Sequence, residues 1–226
     1  MTDPATPPAE SMAAVVTHCA PILKSSGFRK RRHSFNRALP SDLVHVVDFQ
    51  MGPFDPPGTE YVPPFRVNLY GRFTINLGVY VPEIARRLDS SRNGWVNEYD
   101  CHMRQRIGAV MPDRVDTWWP LDDPPRAAEA AADALEGHGL PWLDDYRDHD
   151  AITAAYLRDQ REHLGMAPAA GLHVGLMLLE RGDHATGSSV LREYIRQPLN
   201  SAHREYVVEL LTRQGLQELL HPGSAD

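Results

Sequence analysis

Two segments of this chain carry apolar residues at every second position, His45 excepted, and they restrict the fold more than anything else in it. In residues 43–51, LVHVVDFQM, one face takes Leu43, His45, Val47, Phe49 and Met51. In residues 72–81, RFTINLGVYV, one face takes Phe73, Ile75, Leu77, Val79 and Val81. Side chains alternate across a strand, so a period of two predicts antiparallel strands with one buried face. The opposite face then carries Asp48, Gln50, Thr74 and Asn76, all polar. A basic stretch, residues 27–37, precedes the pair.

The rest of the chain supplies partners for such a sheet. Residues 10–26 read as a helix, because Met12, Val15, Val16, Cys19, Ile22 and Leu23 recur at helical spacing and Gly27 suits its C-terminal end. Pro21 lies inside it and predicts a kink or break. Residues 28–37 are expected as the first strand, with Leu39-Pro40-Ser41-Asp42 as a turn. Residues 52–64 hold five prolines and read as a long surface loop. Pro82 opens a short helix to Leu88. Residues 99–107 alternate again, with Cys101, Met103, Gln105 and Ile107 on one face and His102, Arg104 and Arg106 on the other. Residues 116–120 make a last strand carrying Trp118 and Trp119.

From Pro124 the pattern turns helical. An alanine-rich helix over 126–136 is expected to end at Gly137 or Gly139, followed by an anchoring turn at 140–143. Further helices are predicted over 151–164, 171–181, 184–196 and 202–214. The expected fold class is α+β: a mainly antiparallel sheet of about five strands with an N-terminal helix on one face, then an all-helical C-terminal section. The expected organisation is a disordered tail at 1–8, an α+β domain at 9–145, a helical section at 146–220 and a disordered tail at 221–226.

The order and spacing of several pieces resemble one known family. They are Gly27-Phe28-Arg29-Lys30, the strand with Phe35, the strand ending Phe49-Gln50, the Asn76-Leu77-Gly78-Val79 strand, Cys101 with Arg104 and Arg106 in CHMRQRIG, and Trp118-Trp119. Over roughly residues 12–143 the chain resembles the domain of unknown function 4304 family (DUF4304). The resemblance implies a small α+β domain with no assigned activity, so no catalytic residue is carried over. The proline-rich insert and the C-terminal helices extend beyond that domain. Residues 172–195 also look like one tetratricopeptide-type helix pair, turning at Gly182-Asp183. A single pair cannot bury its own face, so a helical cap completing the core is the preferred reading.

Composition narrows the functional classes. The formal net charge of −7 argues against a dedicated nucleic-acid binder. No run of about 18 uncharged apolar residues is present, so no membrane span is expected. The N-terminal MTDPATPPAES lacks the features of a secretory signal. Two cysteines, Cys19 and Cys101, fit a reducing cytoplasm. No cofactor is implied. Neither Cys-x-x-Cys nor His-Glu-x-x-His occurs, and no Gly-x-Ser-x-Gly elbow or glycine-rich phosphate loop. The acidic group Asp144, Asp145, Asp148 and Asp150 lacks the spacing of a calcium loop.

The polar sheet face is the best candidate site. Arg32, Asn36, Asp48, Gln50, Asn76, Arg104 and Arg106 are expected to converge on it. Arginine forks hold carboxylates and phosphates, and amides orient them. The plain alternative is a solvated face with cross-strand ion pairs. The basic run at 29–33 is explained equally by phosphate contact or by a charge-protected edge strand. Two functions follow as expectations. One is a non-enzymatic cytoplasmic binding or interaction module for a protein partner or a small anion. The other is an enzyme on a phosphate- or carboxylate-bearing substrate, with Arg104 and Arg106 as clamps and Asp48 as base. An enzyme needs Asp48 in a concave pocket with a shifted pKa; a binding module needs a flatter face with satisfied ion pairs.

Overall fold

The computed structural model describes residues 7–55, 58–62, 67–159 and 169–220. The tails expected at 1–8 and 221–226 lie outside these, save Pro7 and Pro8, where the first helix starts. So do parts of the proline-rich loop and the end of the helix expected over 151–164.

Helix α1 spans Pro8–Ser25 and buries Met12, Val15, Val16, Cys19 and Leu23. It runs unbroken through Pro21, which lies on the exposed side. The segment expected as a single strand over 28–37 is instead a hairpin. Strands β1, Arg29–Arg31, and β2, Ser34–Ala38, pair antiparallel around a two-residue turn, Arg32-His33. Then come β3, Val44–Met51, and β4, Arg72–Tyr80. Helix α2 is Pro82–Arg87, with proline at its first position, where no amide is needed. Strand β5 is Met103–Arg106. It is shorter than the alternation predicted: residues Glu98–Asp100 form a 3₁₀ turn, and Ile107 opens a one-turn helix, α3, Ile107–Val110. The last strand, β6, is only Trp119–Pro120. The sheet order is β1-β2-β3-β4-β5, all antiparallel, with β6 pairing the start of β4.

The helical half starts with α4, Pro124–Ala134, capped by Asp123, whose carboxylate accepts from the Arg126 amide. Neither Gly137 nor Gly139 ends it. The chain continues through a π turn, Leu135–Gly139, into α5, Leu140–Asp144, because Gly139 stays in the right-handed helical region. Helices α6, His149–Asp159, α7, Ala170–Glu180, α8, His184–Ile195, and α9, Ser201–Arg213, follow. The turn between α7 and α8 is at Gly182, whose φ of 88° suits glycine.

The main core lies between one face of the sheet and the helices. Phe35, Val47, Phe49, Phe73, Ile75, Leu77, Val79 and Met103 meet Met12, Val15, Leu23, Ala131 and Leu135 there. Helix α7 faces two ways. Ala170, Val174 and Met177 join this core, while Leu172, Leu176 and Leu179 pack with Leu191, Tyr194, Val207 and Leu210 of α8 and α9. The C-terminal helices therefore continue the core outward from the sheet and are not a separate pair.

The second face is not uniformly polar. Thr74 and Asn76 are buried, and Val46, Tyr80, Ala85, Val96 and Cys101 form a small apolar cluster beside them. The segment after α2 folds back over this face. Cys101 was expected to share a face with Met103, but it sits over Gly78 on the opposite side. A Cβ on Gly78 would come 2.6 Å from Cys101 Sγ, so glycine there admits the thiol. Burial pushes the Cys101 thiol well above its ordinary range, as it does Cys19, to about 12. Neither is poised as a nucleophile.

Candidate functional site

Strand register brings the candidate residues into rows across the second face. One row reads Arg31, Ser34, Asp48, Asn76, Arg106, a residue from each of β1 to β5. The next reads Arg29, Asn36, Val46, Gly78, Arg104. Gln50 lies opposite Thr74 in the row beyond Asp48. Asn36, Asp48, Gln50, Asn76, Arg104 and Arg106 thus share a face, as the alternation implied. Arg32 does not. It occupies the hairpin turn, at a φ of 56°.

The two arginines read as anion clamps already hold carboxylates. Arg104 Nε and Nη2 donate to the two Glu98 oxygens at 2.7 and 2.8 Å. Arg106 Nη1 donates to Asp116 at 2.8 and 2.9 Å and lies over the Trp118 ring, 5.1 Å from its centroid. With Gln50, Asn76 and Gln105 they line a shallow recess of about 230 Å³. Asn76 spans the middle, donating to Gln50 Oε1 at 2.8 Å and also to Asp48. This half of the face is a set of satisfied pairs.

The other half differs. A cleft of about 930 Å³ opens where the β1–β2 hairpin meets α1 and the segment after α2. The hairpin contributes residues 30–34, β3 contributes Asp48 and Phe49, α1 contributes Ala13, Val16 and Thr17, and the covering segment contributes Trp95 and Asn97. The turn is tied in place by the Phe49 amide, which donates to the His33 carbonyl at 3.0 Å. Arg31 lies over the Trp95 ring at 6.0 Å. Among the described residues no carboxylate pairs with Arg29, Lys30, Arg31 or Arg32. In a chain of net charge −7, Lys30, Arg31 and Arg32 at one cleft, with Arg29 beside them in β1, are a local positive field.

Asp48 sits on the cleft wall without a cation. Burial pushes its carboxyl up to about 6, the nearby Glu98 carboxylate adds to this, and the Asn76 hydrogen bond opposes it. Ser34 Oγ, Asn36 Oδ1 and Thr74 Oγ1, all on this face, are buried without a hydrogen-bond partner. Such groups destabilise a fold unless something else satisfies them.

Ser34, Trp95 and Asn97 were not among the sequence candidates, and Lys30 and Arg31 entered only as part of the basic run at 29–33. A strand running through 28–37 hides them, because it sends Arg31 and Ser34 to opposite faces. A turn at Arg32-His33 puts them opposite each other, yet these residues carry no asparagine- or glycine-based hairpin signal. Among the described residues no three histidine, cysteine or acidic side chains converge as a metal site would require. No helix among them is long and apolar enough to cross a membrane.

Left-handed backbone at a residue with a side chain costs roughly 1–2 kcal/mol. Arg32→Gly is therefore expected to leave the fold as stable or up to about 1 kcal/mol more so, after the entropic penalty of glycine. The measurement is a urea melt of the variant; a loss above about 1 kcal/mol would mean the Arg32 side chain holds the turn together. Asp48→Asn is expected to stabilise the protein at pH 7.5 by about 1–2 kcal/mol, allowing for partial exposure. The folded carboxyl binds its proton up to about 6 against 3.8 unfolded, so the gain is present above pH 6 and fades as pH falls toward 4. Thermal melts at pH 7.5 and 4.5 check both the size and its disappearance.

Fold and geometry together define an α+β protein whose antiparallel sheet is helix-covered on one face and carries a basic cleft at the hairpin end of the other. Its residues 65–145 match the model of a family described as a domain of unknown function (DUF4304). The match takes in β4 through α5 and includes Trp95 and Asn97. The hairpin, β3 and the helices from α6 onward fall outside it. No curated protein and no solved structure matches the chain.

Proposed function

We propose that this protein is a non-enzymatic cytoplasmic binding module, and that the cleft beneath the β1–β2 hairpin receives a small phosphate- or carboxylate-bearing molecule. The observation that carries this is the gathering of Lys30, Arg31 and Arg32, without carboxylate partners among the described residues, at the rim of a cleft of about 930 Å³. Arginine forks favour phosphate and carboxylate, and Trp95 offers an apolar wall for the rest of the ligand. The cytoplasmic location is supported by two free, buried cysteines.

Asp48 favours a second reading. It meets the condition set for an enzyme, a carboxyl in a concave site with a raised pKa. On that reading it acts as a base on an anionic substrate. The satisfied pairs of Arg104 and Arg106 favour the binding module instead, because they occupy the two arginines expected to clamp a substrate beside Asp48.

The test is a thermal-shift panel of nucleotides, sugar phosphates, dicarboxylates, short oligonucleotides and divalent metals, with Arg31→Ala alongside. A ligand at about 100 times its Kd adds about 2.7 kcal/mol, which for a chain of this length raises Tm by roughly 5–10 °C. A phosphate- or carboxylate-bearing hit that disappears in Arg31→Ala is the expected outcome. A hit unaffected by that change would place binding elsewhere. Conversion of the hit into product, lost in Asp48→Asn, would move the reading to the enzyme.

A further inference from the structure

The cleft is polarised. Its rim is basic at residues 30–32, and its inner wall carries Asp48. A purely anionic ligand would use the first and leave the second worse off, since Asp48 already feels Glu98 and has no ion-pair partner among the described residues. The arginine next in register on that side, Arg106, is committed to Asp116. On the other side stands Ser34, directly between Asp48 and Arg31 in the same row, with a buried hydroxyl that has no partner and that lines the cleft. One row along, Asn36 Oδ1 is a second buried acceptor with nothing donating to it.

These groups want hydrogen-bond donors and positive charge. A protonated amine offers three N–H donors on one centre. Arg31 and Asp48 are two strand spacings apart along the row, roughly 10 Å between backbones, and both line the cleft.

Building on the reading of the cleft as an anion site, we infer that its ligand is a zwitterion, with an ammonium seated against Asp48 and Ser34 and a phosphate or carboxylate held by Arg31 and its neighbours. Trp95, on which Arg31 stacks, closes the side of the cleft over the bridging carbons. The amine supplies the cation that Asp48 lacks and the donor that Ser34 lacks. An amine without the anion loses the rim, and an anion without the amine loses the wall. Short ω-amino acids and aminoalkyl phosphates both carry this pair of groups.

Calorimetric titration of the full chain at pH 7.5 with matched pairs tests this. Phosphoethanolamine is compared with ethyl phosphate, and β-alanine with propionate. In at least one pair the amine-bearing probe is expected to bind at least tenfold more tightly, and the pair that responds identifies the anion. The preference should collapse below about threefold in Asp48→Asn, and should shrink in the wild type as pH falls below about 6, where Asp48 gains its proton. Equal affinity within both pairs, with binding still lost in Arg31→Ala, overturns the zwitterion and leaves the anion cleft standing. No binding by any probe, together with a silent anion panel, overturns both. A preference that survives Asp48→Asn also overturns the inference, because the amine is then recognised elsewhere.

Discussion

Between pH 7 and pH 4.5 the protein is expected to lose at least about 3 kcal/mol of stability, a fall of roughly 6–12 °C in Tm. Three histidines, His45 and His102 buried and His173 half-buried, are built into the fold in their neutral form. His45 Nδ1 accepts from Arg37 at 2.9 Å while its Nε2 donates to the Tyr146 carbonyl at 3.0 Å. His102 Nδ1 accepts from the Val81 amide at 3.0 Å, and its ring meets His173 edge-on at 5.7 Å. Protonating either Nδ1 sets a proton against a donor. Burial holds His45 at about 4, with Arg37 adding to the effect and Tyr146 and Asp144 opposing it. Burial and His173 hold His102 at about 3; burial holds His173 at about 4.

The sign follows from the lowered values. Each ring is neutral when folded and binds a proton below about 6.5 when unfolded, so the stabilisation is complete above that pH and is lost progressively as pH falls toward 4 and 3. Asp48 works in the opposite direction between 6 and 3.8, but it is one group against three. Melts across pH 7.5 to 4.5 check this. His102→Asn keeps an acceptor for Val81 and removes one titrating ring, so its slope should be shallower. A Tm constant to within about 2 °C over that range would contradict the assignment of neutral histidines.

The second large effect concerns how the C-terminal helices are fixed to the sheet domain. Glu83, in the first turn of α2, is 8% exposed, and its carboxylate accepts from His149 Nε2 at 2.9 Å. His149, 5% exposed at the start of α6, takes a hydrogen bond at Nδ1 from Arg181, just after α7, at 3.1 Å. Three segments meet at one ring. His149→Leu keeps most of the volume but leaves the Glu83 carboxylate with its own backbone amide and Arg86, the latter at 3.4 Å and half exposed. Leaving a buried carboxylate without its hydrogen-bond donor costs about 2–3 kcal/mol, so Tm should fall by roughly 4–12 °C. The double variant Glu83→Gln, His149→Leu should recover part of the loss, because it removes the stranded charge. A single variant within about 1 kcal/mol of wild type would mean the helices are held by their apolar contacts alone.

The strands that alternate cleanly were legible because one face of each is buried nearly throughout; Met51, expected on the buried face, is the exception and is exposed at the end of β3. Phe73, Ile75, Leu77 and Val79 are each at 0% exposure, and no other register buries all four. The shared face of Asn36, Asp48, Gln50, Asn76, Arg104 and Arg106 followed from the same period. What the period could not show was tertiary. Cys101 departs from its alternation because Gly78 leaves a space that only the folded sheet creates. The π turn continues the helix past two glycines because both can remain helical when the flanking apolar residues pack. The hairpin turn was hidden because Arg32 adopts a left-handed backbone that local preference disfavours, and that one turn moves the candidate site proposed above from Arg104 and Arg106 to Arg31 and Ser34. A local rule broken without local compensation is where function is expected.

The most direct test of the hairpin cleft is a titration of ¹⁵N-labelled protein with inorganic pyrophosphate, followed by amide and indole chemical shifts. The expected result is a saturable set of shifts confined to residues 30–34, Asp48, Asn97 and the Trp95 indole, absent in Arg31→Ala. Shifts that instead centre on Arg104 and Arg106, or that scatter over other basic residues and never saturate, would contradict the assignment.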